Sequence, residues 1–306
     1  MDGTPPRTDL SGLDKPEWTR RVMARAEMEG AADRLGRSHF AAFLKSGSTL
    51  LVTFETVQGM RGLTESAQPL GWNLAQRQGW SHLLLACDGD TWFRAPEVYG
   101  YFDQLIDEGF FDEFDNVVFY GAGPCGYAAA AFSVAAPGST VVAIQPQATL
   151  DPRVTEWDDR FTHMRRTDFT DRFGFAPDMI DGAARAFVIY DPAEPLDAMH
   201  AALFTRPNVT KFRMPYMGEA LQSHLLFMKR LFPLIQAAAE DRLTDRFFAG
   251  LFRARRNHLP YLRRLLTRLE AHDRSGLIEV LCRHVTARYT APRFARRLRA
   301  LRQSEE

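Results

Sequence analysis

The chain has 306 residues, 45% of them hydrophobic and 25% charged, and its formal net charge is zero. These values are globular and exclude a disordered, collagen-like or coiled-coil chain. Apolar runs such as Ala128–Phe132 and Val141–Ile144 fall far short of the roughly 20 residues that cross a bilayer, so no membrane association is expected.

The start, Met1–Lys15, is polar and Pro-containing and does not read as a secretory signal. Cys87, Cys125 and Cys282 are too few and too scattered for a disulfide framework or a zinc site. A cytoplasmic protein with free thiols is the expectation. Charge is spread unevenly. Residues 240–306 hold 16 Arg against eight acids, an excess of +8, which leaves −8 on the first 239 residues. Only four of the 38 basic residues are Lys, a skew that fits an Arg-biased, GC-rich genome.

In chain order, residues 1–18 read as a loose leader, and Glu17–Leu44 as an amphipathic helical stretch. Leu50–Phe54 is a short apolar, β-branched run, the pattern of a buried strand. Trp72–Arg77 is helical. His82–Cys87 is a second strand, ended by the turn Asp88-Gly89-Asp90. Ala95–Glu108 is an amphipathic helix. Val117–Tyr120 is a third strand that runs into Gly121–Gly126 and the Ala-rich helix Tyr127–Ala135. Thr140–Ile144, Ala186–Tyr190 and Val209–Met214 complete six strands, with a helix at Leu196–Phe204. Residues 147–182 are a long polar and aromatic excursion. Beyond Glu219 only helices are expected: Leu221–Ala239, Thr244–Arg253, Leu259–Leu269, Ser275–Val285 and Pro292–Leu301.

Apolar strands separated by helices predict an α/β fold, a mostly parallel sheet covered by helices on both faces, followed by an α-helical C-terminal region. The expected organisation is a leader and helix over 1–44, the sheet domain over 45–220 with a lid-like excursion at 147–182, and an Arg-rich helical region over 221–306. Ligands of such sheets sit at the carboxyl ends of strands. That points to Glu55 and Thr56, Asp88, Gly121–Gly126, Gln145–Gln147, Asp191 and Pro215–Glu219.

The glycine turn can be read two ways. Gly121-Ala122-Gly123-Pro124-Cys125-Gly126 between a strand and a helix matches G-x-G-x-x-G, whose glycines let a pyrophosphate approach a helix N-terminus. It looks like the GAGPAG of flavin- and nicotinamide-binding proteins, and would make the chain an FAD- or NAD-binding oxidoreductase. Against this, at least two strands precede the turn, and Gln145 stands where the ribose-binding acid belongs.

The other reading is a nucleophile elbow. Tyr120–Ala129 resembles the Y-G-S-S-M-G-G-Y-A-A of a bacterial α/β-hydrolase-like family linked to surface polysaccharide and acyl-ester chemistry. Gln145-Pro146-Gln147 is similar to that family's S-P-Q, and Pro215–Glu219 to its P-x-x-G-H. The resemblance covers about residues 48–225 and implies an α/β-hydrolase fold. Carried over, the nucleophile serine falls on Gly123, the base histidine on Glu219, and the acid on Asp191. Pro124, which has no N–H, falls where the oxyanion-hole donor belongs. The resemblance therefore implies a degenerate triad, a pseudoenzyme that binds a ligand or regulates. Asp191 is either the surviving acid or a helix cap.

Cys125 opens the helix, where the dipole would favour its thiolate. It is either a displaced nucleophile for acyl hydrolysis or transfer, or a buried small residue. Ligand contacts are expected from Glu55, Thr56, Gly121, Pro124, Gly126, Gln145 and Gln147. No His spacing suggests a metal, and no cofactor is required. The Arg-rich tail reads as a docking stripe for an acidic partner or as a solvated face, and it lacks the interleaved aromatics that stack nucleic-acid bases.

Overall fold

The computed structural model describes residues 9–305. Of the leader, residues 1–8 lie outside the described residues, and the first helix, α1 (Lys15–Glu29), already begins within it. Asp14 caps α1 by accepting the Glu17 N–H, and Trp18, Val22, Met23 and Ala26 form its buried face.

The helix then stops. Residues 30–44 are an antiparallel hairpin, β1 (Gly30–Leu35) and β2 (His39–Leu44), turned at Gly36 with φ 65°. The amphipathic helical expectation for this stretch is thus corrected. Ala and Phe in His39–Leu44 are compatible with either period, and only pairing of β2 with a neighbouring strand decides for the extended form.

The remaining elements follow in order: β3 (Thr49–Thr56), α2 (Val57–Leu63), α3 (Leu70–Gln78), β4 (Ser81–Cys87), α4 (Pro96–Asp107), β5 (Asn116–Ala122), α5 (Pro124–Phe132) and β6 (Thr140–Ile144). The excursion holds the one-turn helices α6 (Pro152–Thr155) and α7 (Ala176–Met179). Then come β7 (Arg185–Tyr190), α8 (Pro195–Leu203) and β8 (Val209–Arg213). All six expected strands are present. The chain ends in α9 (Leu221–Phe227), α10 (Leu231–Ala239), α11 (Asp245–Phe252), α12 (Leu259–Glu270), α13 (Ser275–Thr286) and α14 (Pro292–Glu305). The single helix expected over Leu221–Ala239 is broken at Lys229, whose φ is 57°, and Pro233 lies in the first turn of α10, where its missing N–H costs nothing.

The sheet has the order β1-β2-β4-β3-β5-β6-β7-β8. β2 runs antiparallel to both its neighbours and every other pair is parallel. Among the described residues this is an α/β-hydrolase-like sheet with helices on both faces.

The two-residue period of the strands sorts the core. Val52, Phe54, Val117, Phe119, Val141 and Val188 pack on one face with α4 and α5, whose Phe102 and Phe132 stack at 4.6 Å. Leu51, Val118, Tyr120, Val142, Ile189 and Phe212 face the other way. They share one cluster with Leu234, Phe248, Leu262, Ile278 and Phe294 of the C-terminal helices, so those helices cover the second face of the sheet. At the β2–β4 end the same face is closed by Trp18, Met60 and Trp72.

Candidate functional site

β3 lies between β4 and β5, so the chain crosses from one side of β3 to the other between these two strands. A reversal of this kind leaves a crevice at the carboxyl ends of the strands. A cleft of about 560 Å³ opens there, at the ends of β3, β5 and β6.

The turn between β5 and α5 forms its base. Gly121 must be glycine, because an added Cβ would stand 1.9 Å from the Cys125 carbonyl oxygen. Gly126 packs the start of α5 against β6, with an added Cβ 3.1 Å from the Ile144 oxygen. Gly123 sits between them at φ 59°, ψ −128°, a conformation that side-chain-bearing residues adopt only under strain. Its N–H donates to Ile144 O at 2.8 Å, and an added Cβ there meets nothing within 4 Å. The turn is thus a sharp strand-to-helix elbow whose apex faces open space.

The amino end of α5 is nearly spent as a donor. Pro124 has no N–H, and the Gly126 and Tyr127 N–H groups both donate to Gly123 O, at 2.8 and 3.0 Å. An anion at this helix start would find far fewer free donors than a phosphate cradle supplies.

Gly123, Pro124 and Cys125 line the cleft with Glu55, Thr56, Gln145, Gln147 and Glu219. Gly121 and Gly126 build the turn without lining the cleft. Asp191 is fully buried behind the wall. Its Oδ1 accepts the N–H of Ala193 at 2.8 Å and of Tyr216 at 3.0 Å, and its Oδ2 accepts the N–H of Gly218 at 2.7 Å. It therefore caps the turn after β7 and also ties down the loop after β8, where Glu219 is exposed.

Cys125, at the start of α5, is buried. Burial pushes its thiol well above the ordinary range, and Cys87, Glu55 and Asp90 push the same way. This runs against the thiolate that a helix start favours.

Glu55 ends β3 with a buried carboxylate. It accepts the Leu70 N–H at 2.8 Å and the Gly71 N–H at 3.2 Å, capping α3, and takes the Thr53 hydroxyl at 2.9 Å. Burial raises its pKa, and these donors hold it back. Thr53 Oγ1 in turn accepts His82 Nε2–H at 2.8 Å. Burial pushes His82 down to about 3, so the ring is neutral.

The opposite wall is a polar chain assembled from distant segments. Gln145, held at φ 49°, donates from Nε2 to Asp197 Oδ2 at 2.6 Å and accepts the Leu221 N–H at 3.0 Å. Arg160 of the excursion donates to Asp197 at 2.7 Å and to Asp158 at 2.8 Å. His200 accepts the Ala148 N–H on Nδ1 at 3.1 Å, which leaves Nε2–H to donate to Asp158 at 2.8 Å. Burial alone would raise Asp158, but the bonds from His200 and Arg160 hold it well below the usual carboxylate range.

The excursion is anchored by Arg94, which is buried and donates to Asp168 O and Arg172 O at 2.9 Å and to Tyr127 Oη at 3.2 Å. It thus contributes Arg160 and Phe161 to the cleft. Arg160 pairs with both Asp158 and Asp197. Its place in the cleft, with Phe161 and Asp197, was missed, since no spacing links residues 160 and 197. The Asp88, Asp90 and Trp92 cluster is a turn with a packed ring: Lys15 pairs with Asp88, His163 with Asp90, and Trp92 packs on Phe161 at 4.8 Å. Among the described residues no group of three or more His, Cys, Asp or Glu could hold a metal, and no helix is long and apolar enough to cross a membrane.

No protein-family model matches the chain, and no curated protein matches it in sequence. Some solved structures are similar to it in backbone. EstE1, a thermostable carboxylesterase cloned from a metagenomic library, is 15% identical, with a TM-score of 0.40 over 79% of this chain and 98% of its own. Est1E from Butyrivibrio proteoclasticus is 13% identical, with a TM-score of 0.43 over 68% of this chain and 94% of its own. Carboxyl esterase 2 of Tuber melanosporum is 13% identical, with a TM-score of 0.43 over 71% of this chain and 82% of its own. The likeness is one of fold, and the chemistry of the cleft rests on this chain's own residues.

Proposed function

We propose that this chain is a non-catalytic ligand-binding protein whose cleft keeps the shape of a hydrolase site without its chemistry. Gly123 carries the reading. It occupies the apex of the elbow, in a conformation that only glycine takes freely, and it presents no atom to the open space in front of it. Acyl transfer by a side-chain nucleophile needs a hydroxyl or thiol, a base within reach, and donors aimed at the oxyanion. The apex offers no nucleophile. Glu219 stands in the base position with no serine to deprotonate. Pro124 removes one oxyanion donor, a loss typically worth about 3 kcal/mol in rate. Cys125 is protonated by its burial. The dinucleotide alternative gains nothing from the helix start, where Gly123 O already takes the Gly126 and Tyr127 N–H groups.

The test is direct. The purified protein is incubated with a fluorophosphonate probe and with p-nitrophenyl esters near neutral pH, and denatured to release any nucleotide. The expected result is no labelling, no turnover and no FAD or NAD. Ester turnover by the intact protein would overturn the proposal, and its loss in Cys125→Ala would assign that turnover to the thiol.

A further inference from the structure

The charges around the cleft do not balance. Three carboxylates line it (Glu55, Asp197 and Glu219) against one cation, Arg160. That cation is committed, since its guanidinium is divided between Asp158 and Asp197. Glu55 is committed to the start of α3. Glu219 is exposed and makes no hydrogen bond among the described residues. Beside it, Glu194 has its pKa raised by burial and then by Asp191, Glu219 and Asp197, with Arg264, whose guanidinium donates to Met217 O, opposing them.

A second and independent observation lies on the same cleft. Gln147 is 3% exposed and lines it, yet its amide makes no hydrogen bond among the described residues, and its Oε1 is buried without a partner. Buried amides are almost always satisfied, and an unmet one at a cleft wall is a place for a ligand's polar group. Close by, Gln222 accepts the Tyr120 hydroxyl on Oε1 at 2.9 Å, which leaves its NH₂ to the cleft. Phe54, Met60 and Phe161 supply an apolar side for a carbon skeleton. The volume is within the range of small-molecule sites, about 300–1,000 Å³.

We infer that the cleft binds a small hydroxylated primary amine, an amino alcohol or amino sugar, with its ammonium at Glu219 and its hydroxyls at the Gln147 amide. The inference rests on the binding role proposed above and adds the ligand class. An ammonium meets the unpaired carboxylate, and each hydroxyl can donate to or accept from an amide. An anion would face three carboxylates with no uncommitted cation in the lining among the described residues.

The test uses one ring in three charge states. Binding of glucosamine, glucose and glucuronate to the full chain is measured by calorimetry near neutral pH, with ethanolamine against ethylene glycol as a second pair. Each amine should bind about tenfold more tightly than its neutral counterpart, a preference that shrinks at high salt. Glucuronate should not bind. Glu219→Gln should abolish the preference without shifting the unliganded Tm, because the side chain is exposed and unbonded. Gln147→Met should weaken glucosamine and glucose together. Equal binding of glucosamine and glucose, tighter binding of glucuronate, or no binding of either amine at about 10 mM would overturn the inference. Ester turnover would instead sink the binding role, so the two failures are distinguishable.

Discussion

Asp191 Oδ2 accepts the backbone N–H of Gly218 at 2.7 Å, one residue before Glu219. With Ala193 and Tyr216 on its other oxygen, the carboxylate joins the turn after β7 to the loop after β8. The residue that the family resemblance marks as the acid is therefore also the clamp that holds this side of the cleft. Asp191→Ala leaves three backbone donors without a partner and should cost about 3–5 kcal/mol, and Asp191→Asn about half of that. Urea unfolding of both variants measures it. A loss below about 1 kcal/mol for the alanine variant would contradict the clamp.

Gly123→Ser tests the elbow. An added Cβ finds open space, so the penalty is conformational, about 1–3 kcal/mol for a side chain held at this φ and ψ. The expected fall in Tm is roughly 2–5 °C. No esterase activity should appear, because Glu219 and Pro124 still occupy the base and donor positions. An unchanged Tm would show that the turn carries no strain, and a gain of hydrolysis would show that the rest of a working site is already in place.

Stability should fall in mild acid. His82 is buried and its folded pKa is pushed down from 6.5 to about 3. Below pH 6.5 the unfolded chain takes a proton that the folded ring refuses. The contribution is complete above about pH 6.5 and lost as pH falls toward 3, at up to ~1.4 kcal/mol per pH unit. His258, pushed down to about 4 by burial and then by His224 and Arg264, acts with the same sign. Glu55 opposes them, since its carboxyl is raised and its penalty at neutral pH fades as pH falls. Unfolding free energies at several pH values between 7 and 4.5 should slope less steeply in His82→Leu than in the parent. Parallel slopes would refute the assignment.

The thiols should be inert in the native state. Cys87 is pushed up to about 12 by burial, and Cys125 and Cys282 are raised too. Iodoacetamide near pH 7.5 should alkylate Cys125 at least ~100-fold more slowly in the folded protein than in urea, as mass spectrometry of quenched samples would show. Fast native labelling at Cys125 would revive the displaced nucleophile.

The five inner parallel strands were legible because they are buried on both faces and so read as apolar runs, as in His82–Cys87, whereas the edge strand β8 is only partly buried. Strand-end positions were legible for the same reason, and Glu55, Gly123, Gln145, Gln147 and Glu219 do meet at one cleft. The hairpin at 30–44 was not. Gly30–Arg34 forms an edge strand with four exposed positions, and neither period dominates it. The break near Lys229 had one signal, Pro233, inside the span expected as one helix.

The amino-acid order alone determined an alternating α/β chain, its strand ends, and a turn whose apex bears no side chain, because periodicity and glycine act locally. Only the folded chain decided that Arg160 and Asp197 complete the wall, that Asp191 faces backbone donors instead of the cleft, and that Cys125 is buried. Those properties depend on burial and on partners more than 20 residues away in sequence, such as Gly218 for Asp191 and Glu55 for Cys125. Local pattern carries no record of either.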